Sequence, residues 1–234
     1  MAIVCRHPQR RLHDVFSRVP ARQASAVVSP SSPRWLAACL LACMLAIAGC
    51  SSKVPPLPKL GQNDVILAFG DSLTHGTGAS DAESYPVVLA QLTGRKVIRE
   101  GVPGETSDQG LRRLPGVLEA HKPKILLLCH GGNDMLRRID DGAIVANLRA
   151  MIQAAKRQGV AVVLLGVPRP TLFGSAATFY GELAKEFGLV YEGDVLNDVL
   201  KKPGMKADPI HPNAHGYRAV AEAVAALLKK SGAL

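Results

Sequence analysis

The chain has 234 residues, a formal net charge of +9 and an apolar fraction of 47%. This length allows one folded domain with a sizeable core, and this composition excludes a disordered chain and a membrane protein with many spans. More than half of the net positive charge comes from residues 1–49, which contain six arginines and one acidic residue. The rest of the chain has no basic run interleaved with aromatic residues, so we expect no nucleic-acid partner.

An uncharged apolar run covers residues 35–48 and follows Arg34. It has the length of the apolar core of a signal peptide, whereas a bilayer span needs about 20 residues. The sequence Ile-Ala-Gly-Cys at 47–50 resembles the lipobox of bacterial lipoproteins. This resemblance implies that residues 1–49 are a signal peptide and that Cys50 is lipidated. The exported protein would then be anchored to a membrane. If the source is a Gram-negative bacterium, this would be the outer membrane or the periplasmic face of a membrane. An uncleaved anchor or a plain secretory peptide is the alternative.

A Pro-rich segment follows Cys50. Its composition predicts a semi-extended tether over 50–61, which leaves 62–234 as the folded domain. Within 62–234, Cys129 is the only thiol, so no internal disulfide is expected. We expect Cys129 to pack as a small apolar residue, with a thiol nucleophile as the less favoured alternative. No Cys or His spacing indicates a metal site, and we expect no cofactor.

Strand and helix patterns alternate from Asp64 onwards, which indicates βαβ units and a parallel sheet flanked by helices. The clearest helical pattern covers 142–158, where apolar residues recur at a spacing of three and four. The segment Val167–Ala176 contains two prolines and a glycine and is predicted to be a loop that forms a pocket wall. The predicted strands are Val65–Phe69, Lys96–Arg99, Lys124–Cys129, Val160–Gly166 and Leu189–Glu192, and the predicted helices are Tyr85–Leu92, Ser107–Ala120, Gly142–Gln158, Ala177–Phe187 and Ala214–Lys230.

The first predicted strand ends in the sequence Gly-Asp-Ser at 70–72. An apolar run that ends in glycine is typical of a strand covered on both faces, and open α/β sheets place their ligand sites at the carboxyl ends of strands. Ser72 is therefore a candidate nucleophile. A serine nucleophile needs a base that takes its proton and hydrogen-bond donors that stabilise the oxyanion formed in the reaction. We expect the neighbouring carboxylate of Asp71 to shape the turn.

Two later turns contain groups that can donate hydrogen bonds to an oxyanion. The turn at 100–106 contains Gly104, where the backbone can approach a ligand closely and its N–H can donate to an anion. The turn at 130–134 contains two glycines followed by Asn133, whose side-chain amide is a neutral donor. Each turn taken alone is more often only structural.

A candidate base lies near the C-terminus, in the sequence Asp-Pro-Ile-His that ends at His211. The spacing of three lets Asp208 accept from one ring nitrogen of His211 and leaves the other to take a proton from Ser72. His215 is a rival base, but it has no acidic residue three positions before it. His75 follows Ser72 closely, and we expect it to line the entrance of the site.

Together these features resemble the sequence blocks of the GDSL or SGNH hydrolases, above all the arylesterase and thioesterase-lysophospholipase group. The blocks are Phe-Gly-Asp-Ser-Leu-Thr at 69–74, Gly104, Gly-Gly-Asn-Asp at 131–134 and Asp-Pro-Ile-His at 208–211. The likeness covers about residues 62–234. It implies a three-layer α/β/α sandwich with a five-stranded parallel, flavodoxin-like sheet.

The resemblance also implies a function, that of a serine esterase acting on short-chain, aryl, lysophospholipid or thioester substrates through an acyl-enzyme. Ser72, His211 and Asp208 would be catalytic, and the oxyanion hole would use Ser72, Gly104 and Asn133. An O-acetylesterase or acyltransferase acting on cell-envelope polysaccharide is the alternative. A non-catalytic binding protein on the same scaffold is less favoured.

The second and third blocks depart from the family pattern. Glu100 and Pro103 stand where the family has Asn and Ser, although the expected donor Gly104 is kept. His130 precedes the third block, where an apolar residue or glycine is usual. We expect His130 to be structural and the hydrogen bonding around the second turn to differ from the family pattern.

Overall fold

The computed structural model describes residues 54–170 and 176–234. The predicted signal peptide, Cys50 and the middle of the predicted loop 167–176 lie outside the described residues. Five strands form one parallel sheet in the order β2-β1-β3-β4-β5, which confirms the predicted fold class. The strands are β1 Val65–Gly70, β2 Lys96–Gly101, β3 Ile125–Cys129, β4 Ala161–Leu165 and β5 Val190–Glu192.

Helices cover both faces of this sheet. In the described ranges they are α1 Ser72–His75, α2 Tyr85–Thr93, α3 Ser107–His121, α4 Gly132–Leu136, α5 Asp141–Arg157, α6 Thr178–Phe187, α7 Val195–Lys201 and α8 Ala214–Lys230. Helix α2 packs against α8 in one layer, whereas α3 packs against α5, and α5 against α6, in the other. None of these helices combines the length and the hydropathy that a membrane span requires.

The central strands are apolar because both of their faces are covered. All five residues of β3 and five of the six residues of β1 are buried. Burial of one large aliphatic side chain is worth about 1.5 to 3 kcal/mol. The near-continuous apolar runs of these strands therefore stabilise the middle of the sheet, where the candidate site begins.

Strand β2 is two residues longer than predicted. The prediction ended it at Arg99, whereas Glu100 and Gly101 pair in register with the last two residues of β1. A Cβ atom at position 101 would lie 2.1 Å from the backbone nitrogen of His75, so only glycine fits where β2 meets α1. The extension places Glu100 at the carboxyl-terminal end of the sheet, where the candidate site lies.

The predicted tether is wrong from Val54 onwards, because this part of the chain packs on the domain. Leu60 is only 3% exposed. The backbone N–H groups of Leu57 and Leu60 donate to two carbonyl groups that follow α8, each at 2.9 Å. Residues Pro55–Pro58 lie beside the amino-terminal ends of β4 and β5. The folded part therefore begins before residue 62, at the end of the sheet opposite to the candidate site.

Candidate active site

Ser72 is the first residue of α1 and directly follows the turn after β1. The carboxylate of Asp71 caps this helix by accepting a hydrogen bond from the N–H of Leu73 at 3.1 Å. The N–H of Ser72 lies in the first turn, where N–H groups have no partner within the helix. Glycine is required at position 70, since a Cβ atom there would lie 2.0 Å from the carbonyl oxygen of Cys129. The turn therefore presents Ser72 at the carboxyl end of the sheet.

His211 connects Ser72 with a carboxylate. Its Nε2 lies 3.0 Å from Ser72 Oγ, and its Nδ1 lies 2.7 Å from Asp208 Oδ2. An ionised carboxylate can only accept, so Nδ1 carries the proton and Nε2 is free to accept the hydroxyl proton of Ser72. The fold thus joins a serine and a histidine that are 139 positions apart in sequence.

The backbone also holds Asp208 in place. Its Oδ1 accepts hydrogen bonds from the N–H groups of Ile210 and His211, both at 2.8 Å. Burial alone would raise the pKa of the Asp208 carboxyl group, but the hydrogen bonds from the His211 side chain and from these two N–H groups outweigh it, and the pKa is lowered. Asp208 is therefore ionised at neutral pH and can hold the imidazole in one tautomer.

Asn133 lines the same cleft as Ser72 and His211. It lies in the first turn of α4, and its Nδ2 donates to the backbone carbonyl of Glu105 at 3.1 Å. This hydrogen bond fixes the orientation of the amide and uses one of its two N–H bonds. The second N–H remains to donate to a group in the cleft.

Gly104 lies in the turn between β2 and α3, with a left-handed φ of 78°. Its carbonyl accepts a hydrogen bond from Arg137 at 2.9 Å. Among the described residues that line the cleft, Asn133 is present and Gly104 is not. The Gly104 turn is instead joined to Asn133 through the carbonyl of the next residue, Glu105.

Behind these turns lies a group of charged side chains, here called the charged cluster, which consists of Glu100, Glu105, Arg113 and His130. Arg113 binds both carboxylate oxygens of Glu105, at 2.8 and 2.7 Å, and one oxygen of Glu100 at 3.1 Å. His130 Nε2 lies 3.1 Å from Glu105 Oε2. Burial would raise the pKa of Glu105, but the hydrogen bonds from Arg113 and His130 lower it to about 2.

His130 is completely buried in this cluster. Its Nδ1 accepts a hydrogen bond from the N–H of Gly131 at 3.2 Å, so Nε2 carries the proton that it donates to Glu105. Its carbonyl accepts from the hydroxyl of Tyr180 at 2.7 Å. A Cβ atom at Gly110 would lie 2.3 Å from the ring, so glycine on α3 makes room for the imidazole. His130 is therefore structural, as the sequence predicted, and it fixes the chain ahead of the third block.

Three other candidates are placed away from the reacting groups. His215 is exposed on α8, whereas the hydrogen bond to Ser72 comes from His211. His75 does not line the cleft in the described structure, so the prediction that it lines the entrance is wrong; its carbonyl accepts from Arg99 at 2.9 Å. Cys129 is fully buried, and burial raises the pKa of its thiol well above the ordinary value. This thiol packs in the core and is not a nucleophile.

A cleft of about 390 Å³ opens over Ser72. Residues 167–170, the first part of the predicted loop, form one wall. Leu136 lines the cleft and is 44% exposed. No group of three or more His, Cys, Asp or Glu that could hold a metal occurs in residues 54–170 and 176–234. The apolar lining residues larger than glycine are Leu73, Leu136, Val167, Pro168, Pro170, Leu200, Pro209 and Ile210.

The chain is similar in sequence to known proteins. The model of the GDSL-like lipase/acylhydrolase family matches residues 68–219. The chain is 32% identical over 174 residues to "Thioesterase 1/protease 1/lysophospholipase L1" of Escherichia coli (strain K12), covering 71% of this chain and 84% of that protein. It is 31% identical over 179 residues to an arylesterase of Vibrio mimicus, covering 72% and 90%.

A solved structure shows the same fold. The crystal structure of TesA matches with a TM-score of 0.66 at 28% identity, and the match covers 72% of this chain and 99% of that one. Its coverage agrees with that of the sequence relatives, and the matched family region contains the turns that hold Ser72, Asn133 and His211. The chain therefore belongs to the GDSL-like lipase/acylhydrolase family, and it is a carboxylic ester hydrolase with the SGNH hydrolase fold.

Proposed function

We propose that this hydrolase is a serine esterase that forms an acyl-enzyme on Ser72. The observation that carries the proposal is the hydrogen-bonded line from Asp208 through His211 to Ser72, with contacts of 2.7 and 3.0 Å. In this arrangement a neutral imidazole can take the hydroxyl proton while the carboxylate stabilises the imidazolium that forms. The line ends in an open cleft, where an ester can reach the hydroxyl group.

The reaction follows in two halves. Ser72 Oγ attacks the ester carbonyl while His211 Nε2 takes its proton, and the tetrahedral intermediate then collapses as His211 returns the proton to the leaving alcohol. A water molecule next attacks the acyl group with His211 again as base. The carboxylic acid leaves and Ser72 regains its proton from His211, so the enzyme returns to its starting state.

Three N–H donors are proposed to hold the oxyanion: the backbone N–H of Ser72, the backbone N–H of Gly104 and the side-chain amide of Asn133. The position of Asn133 on the cleft wall and its fixed amide support this assignment. The hydrogen bond to the carbonyl of Glu105 couples the Gly104 turn to Asn133. Donors that are oriented before the reaction stabilise the developing charge without reorganising.

Replacing Asn133 with alanine tests the oxyanion hole. Loss of one such donor costs about 2.7 to 4 kcal/mol in the barrier, so kcat should fall by roughly two to three orders of magnitude. The matched variant Asn133→Asp keeps the size of the side chain but replaces the donor with an acceptor, and we expect at least as large a loss. Steady-state kinetics on p-nitrophenyl esters measures both, and a kcat for Asn133→Ala within threefold of wild type contradicts the role.

The substrate class is proposed from the cleft and the relatives. The apolar lining supports an acyl chain or an aromatic leaving group, and proteins similar to this one are called an arylesterase and a thioesterase/lysophospholipase. We therefore propose short-chain, aryl, lysophospholipid or thioester substrates. A screen over acyl lengths tests this class. A higher kcat/KM on acetylated polysaccharide than on every acyl ester would favour the alternative of an O-acetylesterase acting on cell-envelope glycan.

We also propose that the enzyme is exported and anchored through a lipid on Cys50, on the basis of the lipobox-like sequence. Cells fed an alkyne fatty acid should label the wild-type protein, and Cys50→Ala should abolish the label. Cys129→Ala is the matched control, because the buried thiol of Cys129 is inaccessible to acylation. Equal labelling of wild type and Cys50→Ala contradicts a lipid on Cys50.

A further inference from the structure

The charged groups of the cleft are unevenly distributed by sign. Three basic side chains line it, those of Arg169, Lys201 and Lys206, whereas the acidic lining residue is Asp71. Asp71 is 1% exposed and accepts a hydrogen bond from the backbone, and burial raises the pKa of its carboxyl group. Among the described lining residues, a substrate in the cleft therefore meets cationic groups and no accessible carboxylate.

Two of these cations are free to bind a ligand. Arg169 forms an ion pair with Asp141, which compensates most of its charge. Among the ion pairs of the described residues, neither Lys201 nor Lys206 takes part. The cleft wall therefore carries two lysines that have no carboxylate partner within residues 54–170 and 176–234.

Both lysines lie close in the fold to the proposed base. Lys206 forms a β-bridge with Pro212, so it flanks the turn that presents His211. On α7, Lys201 and Leu200 follow Asn197 at helical spacings of four and three, and all three line the cleft. The two lysines therefore line the same cleft as His211, together with the apolar residues Pro209 and Ile210.

We propose that the cleft selects carboxylic esters that carry a negatively charged group near the scissile bond, such as a phosphate on the alcohol part. This inference rests on the proposed esterase function. The apolar wall receives the acyl chain, and Lys201 and Lys206 attract the anion on the other side of the ester. Complementary charges of this kind act mainly on binding and weaken as salt screens them.

The test compares three soluble esters of hexanoic acid, with glycerol 3-phosphate, glycerol and choline as the alcohols. We expect the full-length wild-type protein to hydrolyse the phosphate ester with the highest kcat/KM and the choline ester with the lowest. Lys201→Ala combined with Lys206→Ala should lower kcat/KM for the phosphate ester by about fivefold to tenfold through KM, since an exposed charge contact is worth up to about 1 kcal/mol. The glycerol ester should change by less than about twofold, and 0.5 M salt should remove the preference.

Lys202→Ala is the matched control. Lys202 directly follows α7 as its C-cap residue and is exposed, but it is not among the residues that line the cleft, so its loss should leave all three rates unchanged. A double variant that lowers all three rates alike, or a wild-type protein that prefers the neutral or the cationic ester, overturns the proposal. If none of the esters is hydrolysed and a fluorophosphonate does not label Ser72, the proposed esterase function is wrong. If Ser72 is labelled, the serine is activated, and the same comparison is made with esters of a different acyl length.

Discussion

We expect the Ser72→Ala variant to lose hydrolysis of short-chain p-nitrophenyl esters by about four to six orders of magnitude in kcat. The hydroxyl group is the only one in contact with His211 Nε2 among the described side chains. Without it the attacking atom is absent, and His211 and Asp208 have nothing to activate. The apolar wall of the cleft is unchanged by the substitution, so KM should stay within a few-fold. Stopped assays at high enzyme concentration can measure the residual rate.

Covalent labelling gives a second test of the same residue. A fluorophosphonate reacts only with an activated serine, so wild-type protein should be labelled and Ser72→Ala should not. Cys129→Ala should be labelled like wild type, because the Cys129 thiol is fully buried and the probe cannot reach it. Wild-type rates in Ser72→Ala would show that another residue is the nucleophile. A wild-type protein that neither reacts with the probe nor hydrolyses esters would favour a non-catalytic binding protein.

The largest expected loss of stability follows from replacing Arg113 with methionine. Arg113 binds Glu100 and Glu105 and lies 4.1 Å from the centre of the Phe69 ring. Its removal leaves the carboxylate of Glu105, 7% exposed, with His130 as its remaining side-chain partner. We expect the free energy of unfolding to fall by about 3 kcal/mol, the low end for breaking a buried pair, because Arg113 keeps 23% exposure. Urea denaturation measures the change.

The neighbouring residue supplies the control for this prediction. Arg112 binds Asp108 but is 68% exposed, so Arg112→Met should cost no more than about 0.5 kcal/mol. Equal losses in the two variants would show that Arg113 acts only through general surface charge. A loss confined to Arg113→Met would agree with a buried charge that needs its partner.

The pH dependence of stability tests the same cluster. The folded-state pKa of Glu105 is about 2, below its ordinary value of 4.5. Because the pKa of Glu105 is lower in the folded state than in the unfolded state, its ionised carboxylate stabilises the folded protein above pH 4.5. This stabilisation is lost as the pH falls towards 2. In Arg113→Met the folded pKa of Glu105 should move back towards 4.5. The difference in stability between wild type and variant should therefore shrink between pH 4.5 and pH 2, and a constant difference would contradict the assignment.

Much of the fold could be predicted from the sequence because it depends on local patterns. Short apolar runs marked the strands, and the spacing of apolar residues marked five of the eight described helices, within one or two residues at their ends. The short helices α1, α4 and α7 were not predicted. The line from Asp208 to Ser72 could be predicted for a similar reason. Each of its members follows a turn with its own sequence signature, and the parallel sheet brings the carboxyl ends of the strands together.

The features that could not be predicted depend on contacts between distant elements. Arg113 on α3 looks like an ordinary exposed arginine in sequence, and only packing shows that it binds Glu100 at the end of β2. The two departures at Glu100 and His130 were visible, but nothing local indicates that Arg113 and Glu105 connect them. The tether was wrong for a related reason, because the carbonyl groups that pair with Leu57 and Leu60 lie at the other end of the chain.

The course of residues 54–60 has a consequence for how an anchored molecule would meet its substrate. These residues run beside the amino-terminal ends of β4 and β5, whereas Ser72 lies at the carboxyl end of β1. Four peptide units join Cys50 to Val54 and reach at most about 14 Å. A lipid on Cys50 would therefore hold the far side of the sheet close to the bilayer and leave the mouth of the cleft facing the aqueous phase. Esters dissolved in that phase would then enter directly, whereas lipids of the anchoring leaflet would have to leave it first.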